Sequence, residues 1–194
     1  VNARMMAEEK GLNLVVNAPD IPENQWVNVY ADASRIQQIF MNLISNAIKY
    51  TPKGGMVTLT MENISVSETH VIDRYIISDT GIGMSEEFLP HLFDSFSQEG
   101  RIGTERLNGT GLGMAIVKQF IDMMHSEIRV ESKINQGTKV TIQMRYPVSK
   151  RKVEEKKAEK VDLSLLEGTH ILLCEDHPLN RQIAVRMLQK KGVI

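Results

Sequence analysis

Along the chain, hydrophobic positions fall into two alternating periods. Residues 1–10, VNARMMAEEK, read as the end of a helix, and LNLVVNA at 12–18 reads as a strand. WVNVYA at 26–31 reads as a second strand. From 33 to 50 the apolar residues Ile36, Ile39, Phe40, Leu43, Ile44, Ala47 and Ile48 keep the spacing of one buried helical stripe. MVTLTMENI at 56–64 alternates Val57, Leu59 and Met61 inward with Thr58, Thr60 and Glu62 outward, the period of a half-buried strand. VIDRYIISD at 71–79 predicts a further strand and SEEFLPHLF at 85–93 a short helix. The polar stretch 97–108 has no periodicity. A long helix is predicted from 112 to 124, with Leu112, Ile116, Phe120 and Met123 on one side. EIRVESK and TKVTIQMRY predict two last strands joined by an Asn-Gln-Gly turn. Residues 1–147 thus carry the signature of a mixed α/β fold.

Beyond Pro147 the pattern changes. VSKRKVEEKKAEK is nearly all charge without an apolar stripe, which predicts a solvated linker over 148–167. From 168 to 194 the expectation is one continuous apolar strand, HILLCED, and one amphipathic helix, PLNRQIAVRMLQKKG, stopped at Gly192. No internal repeat is present.

Composition narrows the function classes. The 194 residues are 42% hydrophobic and 24% charged, an ordinary globular balance with a net charge of -1. That charge gives no footprint for nucleic acid or a membrane surface. No apolar run approaches the roughly 20 residues of a membrane span, and no signal peptide opens the chain. The single cysteine, Cys174, has no internal partner. A reducing cytoplasmic compartment fits these features. The abrupt ends suggest a piece of a longer protein.

Three stretches carry candidate chemistry. In the helix over 33–50, Asn42, Asn46 and Lys49 fall at i, i+4 and i+7, which at about 100° per residue puts them on one face. A solvated face would look the same. Asparagine, however, is a mediocre helix former, and its carboxamide oxygen is a suitable neutral magnesium ligand. Asp79 ends a strand and opens DTGIG. Its carboxylate could close an Asx turn, or could accept a hydrogen bond from a ligand such as an adenine amine lying against Gly81 and Gly83. Gly109, Gly111 and Gly113 run straight into a helix in NGTGLGMAIVK. They are either loop punctuation or a place where phosphate oxygens reach unpartnered first-turn amides. No Walker A loop occurs, the glycine spacing is not a dinucleotide fingerprint, and protein-kinase H-R-D and D-F-G signatures are absent.

In order, NLISNAIKYT (42–51), DTGIG (79–83), LFDSF (92–96), GTGLGMAIVK (109–118) and GTKVTI (137–142) resemble the N, G1, F and G2 boxes and closing Gly-Thr of the sensor histidine kinase catalytic domain. That family shares an ATPase superfamily with type II topoisomerases, heat-shock chaperones and mismatch-repair ATPases. The resemblance covers residues 1–147. It implies a two-layer α/β sandwich, helices packed on one face of a mixed sheet, with ATP phosphates beneath a lid over about 97–108.

The resemblance also implies roles. Asn46 resembles the magnesium ligand, Asn42 lies one turn earlier, and Lys49 is placed to reach phosphate; these three would carry the transfer. Tyr50 would contact the adenine side. Asp79 resembles the adenine-reading acid, walled by Gly81 and Gly83 and supported through water by Thr138. Gly109, Thr110, Gly111, Leu112 and Gly113 resemble the phosphate-side hinge, and Arg106 falls where many members carry a lid cation. Two departures stand out. His125-Ser126 replaces a turn that often holds two glycines, and Met114 replaces a usual leucine, a near-isosteric swap.

The tail resembles the first strand and helix of a response-regulator receiver domain, with Glu175 and Asp176 as its acidic magnesium pair and the phospho-accepting aspartate expected beyond Ile194. Such an order resembles a hybrid histidine kinase. None of the five histidines, His70, His91, His125, His170 and His177, sits in a phosphoacceptor context, and the helices carrying that histidine are expected before Val1. The implied function is a cytoplasmic domain that binds ATP and Mg2+ and passes the γ-phosphate to a histidine on a separate dimerisation domain. The partners implied are that domain, a receiver or response regulator, and a second copy of the parent chain. A hydrolytic ATPase of the same fold and a non-catalytic nucleotide-binding module are the alternatives.

Overall fold

The alternation of MVTLTMENI becomes β2 (Met56–Val66), which pairs antiparallel with β3 (His70–Asp79), Leu59 opposite Ile77 and Met61 opposite Tyr75. The computed structural model describes residues 2–22, 25–99, 110–150, 167–174, 178–190 and 192. It divides into two units, 1–152 and 153–194. In the first, β1 (Asn13–Asn17) lies parallel beside β2, while β4 (Glu127–Lys133) and β5 (Gly137–Pro147) complete a five-stranded mixed sheet of order β1-β2-β3-β5-β4.

Three helices cover one face: α1 (Asn2–Lys10), α2 (Ala33–Tyr50) and α3 (Gly113–Met123). Asp32 caps α2, its carboxylate accepting from the Arg35 amide at 3.1 Å. The predicted stripe forms its core edge, with Ile39, Leu43, Ala47 and Ile48 buried among Val57, Ile77, Val117, Ile121, Ile142 and Met144. This is the two-layer α/β architecture the boxes imply. The turn after α3 holds His125 at φ 50, a left-handed conformation where glycine would be at ease.

Three predicted elements are absent. WVNVYA is no strand: Val29 makes one isolated bridge, to Val148. β3 runs along one side of β5 and β4 along the other as far as Gln143, so β5 has room for it only at its exit. SEEFLPHLF forms turns and a 3-10 helix, Leu89–His91: the Leu89 amide donates to Ser85 O at 3.2 Å as in an α-helix, but Pro90 has no amide to continue that series. In the second unit, HILLC carries no strand in its described residues 170–174, and Leu172 is 90% exposed. A strand needs a ladder partner, and the other described element there is a helix, α4 (Pro178–Gln189). The linker residues 151–166 lie outside the described residues.

Candidate nucleotide site

The C-terminal end of β3 delivers Asp79 to the inner face of the sheet, half-buried beside Thr138 of β5. Its Oδ1 accepts from the Gly81 amide at 2.8 Å and the Thr138 amide at 3.3 Å. Both bonds land on one oxygen, which leaves Oδ2 for a ligand. Burial pushes the Asp79 carboxyl above its ordinary range, and the two amides partly offset that. The Thr138 hydroxyl lies 2.8 Å from that of Ser132, which donates to Gly137 O and accepts from the Met84 amide. Thr138 therefore supports Asp79 directly through its backbone. Ser132 was missed in the sequence, although its signal was there: it is the third inward position of β4, after Ile128 and Val130.

The glycines around this acid serve protein packing first. A Cβ on Gly81 would stand 2.6 Å from Tyr50 O, one on Gly83 1.9 Å from Lys133 O, and one on Gly137 1.9 Å from Asp79 O. The DTGIG loop is thereby pressed between the end of α2 and the β4–β5 turn, where the Ile82 amide donates to Tyr50 O at 3.1 Å.

On α2, Asn42 and Asn46 are half-buried, and Asn42 Nδ2 donates to Gly113 O at 3.3 Å, tying the helix to the start of α3. The Lys49 ammonium lies 5.0 Å from the ring centroid of the part-exposed Tyr50. Leu112 caps α3 with no side-chain hydrogen bond, so the first-turn amides keep their capacity for an anion. Thr110 Oγ1 accepts from the Leu112 amide at 3.4 Å. Gly111 stands at φ 70, its missing side chain making room for the Phe96 backbone, and the Phe96 amide donates to Gly111 O at 3.1 Å. The LFDSF stretch is thus joined to the GTGLG stretch. Arg106, Gly109, Glu175 and Asp176 lie outside the described residues.

Residues 31–148, the run from α2 to the exit of β5, match the profile of the "Histidine kinase-, DNA gyrase B-, and HSP90-like ATPase" family. The chain belongs to this ATPase family. Among curated relatives it is 36% identical to the autoinducer 2 sensor kinase/phosphatase LuxQ of Vibrio vulnificus, over 96% of this chain and 22% of that protein. It is also 36% identical to the sensor protein GacS of Pseudomonas syringae pv. syringae, over 84% of this chain and 17% of that protein. The chain spans about a fifth of the length of these relatives. The catalytic domain of histidine kinase ThkA superposes with a TM-score of 0.54 at 26% identity, over 75% of this chain and 89% of that one. A mycobacterial sensor histidine kinase, MprB, shares the fold with a TM-score of 0.59 at 22% identity, over 75% and 91%. The sandwich of this chain is therefore that of histidine kinase catalytic domains.

Proposed function

We propose that residues 1–147 bind ATP with magnesium and transfer the γ-phosphate to a histidine on a separate dimerisation domain, as part of a two-component sensor kinase. The observation that carries the reading is the placement of a half-buried carboxylate with one oxygen committed to the backbone. An adenine amine is a donor that Asp79 Oδ2 can accept. Tyr50 would flank the base, while Lys49 and the first-turn amides of α3 would hold the phosphates. The family membership and the sensor-kinase relatives support the same assignment.

Magnesium fits the donor set: Asn46 offers one neutral carboxamide oxygen, the kind of protein ligand a hard cation takes when phosphates and water complete its shell. When bound, it would neutralise charge on the phosphates. Asn42 stands one turn before Asn46, and a carboxamide is no general base at neutral pH. A neutral imidazole needs no such base, because its nitrogen already carries a lone pair. The arrangement therefore favours transfer over hydrolysis, and the domain contributes positioning and charge stabilisation. Residues 168–194 we read as the opening of a receiver domain, with Glu175 and Asp176 as its acidic pair.

The test combines phosphate release with labelled γ-phosphate transfer, with and without a domain carrying the acceptor histidine. The chain alone should release phosphate very slowly and label the added domain. Rapid release that is abolished by Asn46→Ala, with no labelling, would replace the kinase by an ATPase.

A further inference from the structure

Lys10, the last residue of α1, does something its sequence position does not announce. Its ammonium donates to two consecutive carbonyls at the end of α2, Ile48 O at 2.7 Å and Lys49 O at 2.6 Å. These belong to the last helical turn, whose carbonyls have no partner inside their own helix. A cation there also opposes the negative end of the helix dipole. The next carbonyl, Tyr50 O, accepts the Ile82 amide, and Gly81 packs so closely on it that no side chain would fit. Three successive carbonyls are thus held, two by Lys10 and one by the loop that follows Asp79. Around this junction, Gly54 N donates to Gly11 O and Asn13 N to Gly55 O, binding the end of α1 to the turn after α2.

We propose that Lys10 is a positioning residue of the nucleotide site, acting through the end of α2. It holds the last turn so that Tyr50 O meets the Ile82 amide and so that Lys49 and Tyr50 project from a fixed backbone. Without the ammonium, the two carbonyls must turn to water, and the turn that carries the Ile82 contact frays. Burial depresses the Lys10 pKa, yet the two short bonds call for the charged form. The nucleotide half of this inference rests on the function proposed above.

Lys10→Met keeps the aliphatic stem and removes the donors; Lys10→Arg keeps charge and donors. Two readouts on the whole chain decide the matter: site-resolved amide exchange without nucleotide, and calorimetric affinity for AMP-PNP with magnesium. Lys10→Met should raise exchange at the Thr51 and Ile82 amides about tenfold while Ile142, in the middle of β5, stays protected. It should weaken AMP-PNP about tenfold, the worth of one charge-assisted hydrogen bond. Lys10→Arg should stay within about threefold of wild type in both. Unchanged exchange at Ile82, an equal loss at Ile82 and Ile142, raised exchange with unchanged affinity, or an Arg variant as weak as Met would each overturn the proposal. If the wild type itself bound no AMP-PNP, the nucleotide reading would fall, and the exchange readout would still decide whether Lys10 holds Ile82.

Discussion

Asp79 and Asp73 point to the same face of β3 and share one physical condition, a carboxyl raised by burial. Asp73 is 7% exposed and accepts from Asn63 Nδ2 at 2.8 Å, near the paired hydroxyls of Tyr75 and Tyr146. Its native pKa lies above the unfolded value near 3.9, so the native state holds its proton longer. Stability therefore falls as pH rises from about 3.9 through the native value, and the loss is complete above it. Asp73→Asn should consequently be more stable than wild type at pH 7, with the gap closing toward pH 4, as read from urea midpoints at both pH values. On the proposed nucleotide reading, Asp79 has the opposite use for its charge, since its Oδ2 accepts best from an adenine amine when the carboxyl is ionised. ATP affinity should be full above its raised pKa and fall as pH drops through it, sooner than for an ordinary carboxylate. Asp79→Asn should cost about tenfold or more in affinity at pH 7.5 and flatten that profile, measurable by calorimetry. Equal affinities for the two proteins would remove Asp79 from the site.

At the scale of elements, the contact between the β4–β5 turn and the end of β3 governs the geometry of the acid. Gly137, at φ 88, sits where an added Cβ would meet Asp79 O at 1.9 Å, whereas Gly54, at φ 84, has open space around it. Gly54→Ala should cost only the left-handed backbone, about 1 kcal/mol. Gly137→Ala should cost at least about 2 kcal/mol, because the backbone must also move. Denaturant unfolding of the two variants isolates the close approach as the difference. The periodicity of α2, β2, β3, α3, β4 and β5 was legible in the sequence because each buries one face in the shared core, and burial is what periodicity records. WVNVYA had the right residues for a strand, but strand formation is decided by whether a neighbour offers an unpaired edge, which no local window contains. The same holds for HILLC. In the site, Asp79 and the glycines were visible as residue types. Their division of labour was not: Gly81, Gly83 and Gly137 make room for other backbone, and Lys10 reaches α2 from a helix distant in sequence.

For the molecule as a whole, a ligand that binds only the folded state adds stability that grows with the logarithm of its concentration over its dissociation constant. At a hundred times its dissociation constant that is about 2.7 kcal/mol, which for a domain near 150 residues is a rise in Tm of about 5–10 °C. Mg-ATP should produce this shift in thermal scans of the chain, and chelating the magnesium should remove most of it. No change in Tm with saturating Mg-ATP would count against the nucleotide site. The lone bridge of Val29 with Val148, flanked by the Tyr30 amide donating to Pro147 O and the Ser149 amide donating to Asn28 O, closes the path from α2 to β5 on itself. The approach to the first of these elements and the departure from the last run side by side. A pull arriving along the chain beyond Ser149 therefore meets this bridge before it meets the sheet, like a cleat that takes the strain off a rope. The bridge adjoins the Pro147–His70 end of the β3–β5 ladder, and the acid, paired with Thr138, stands at the other end.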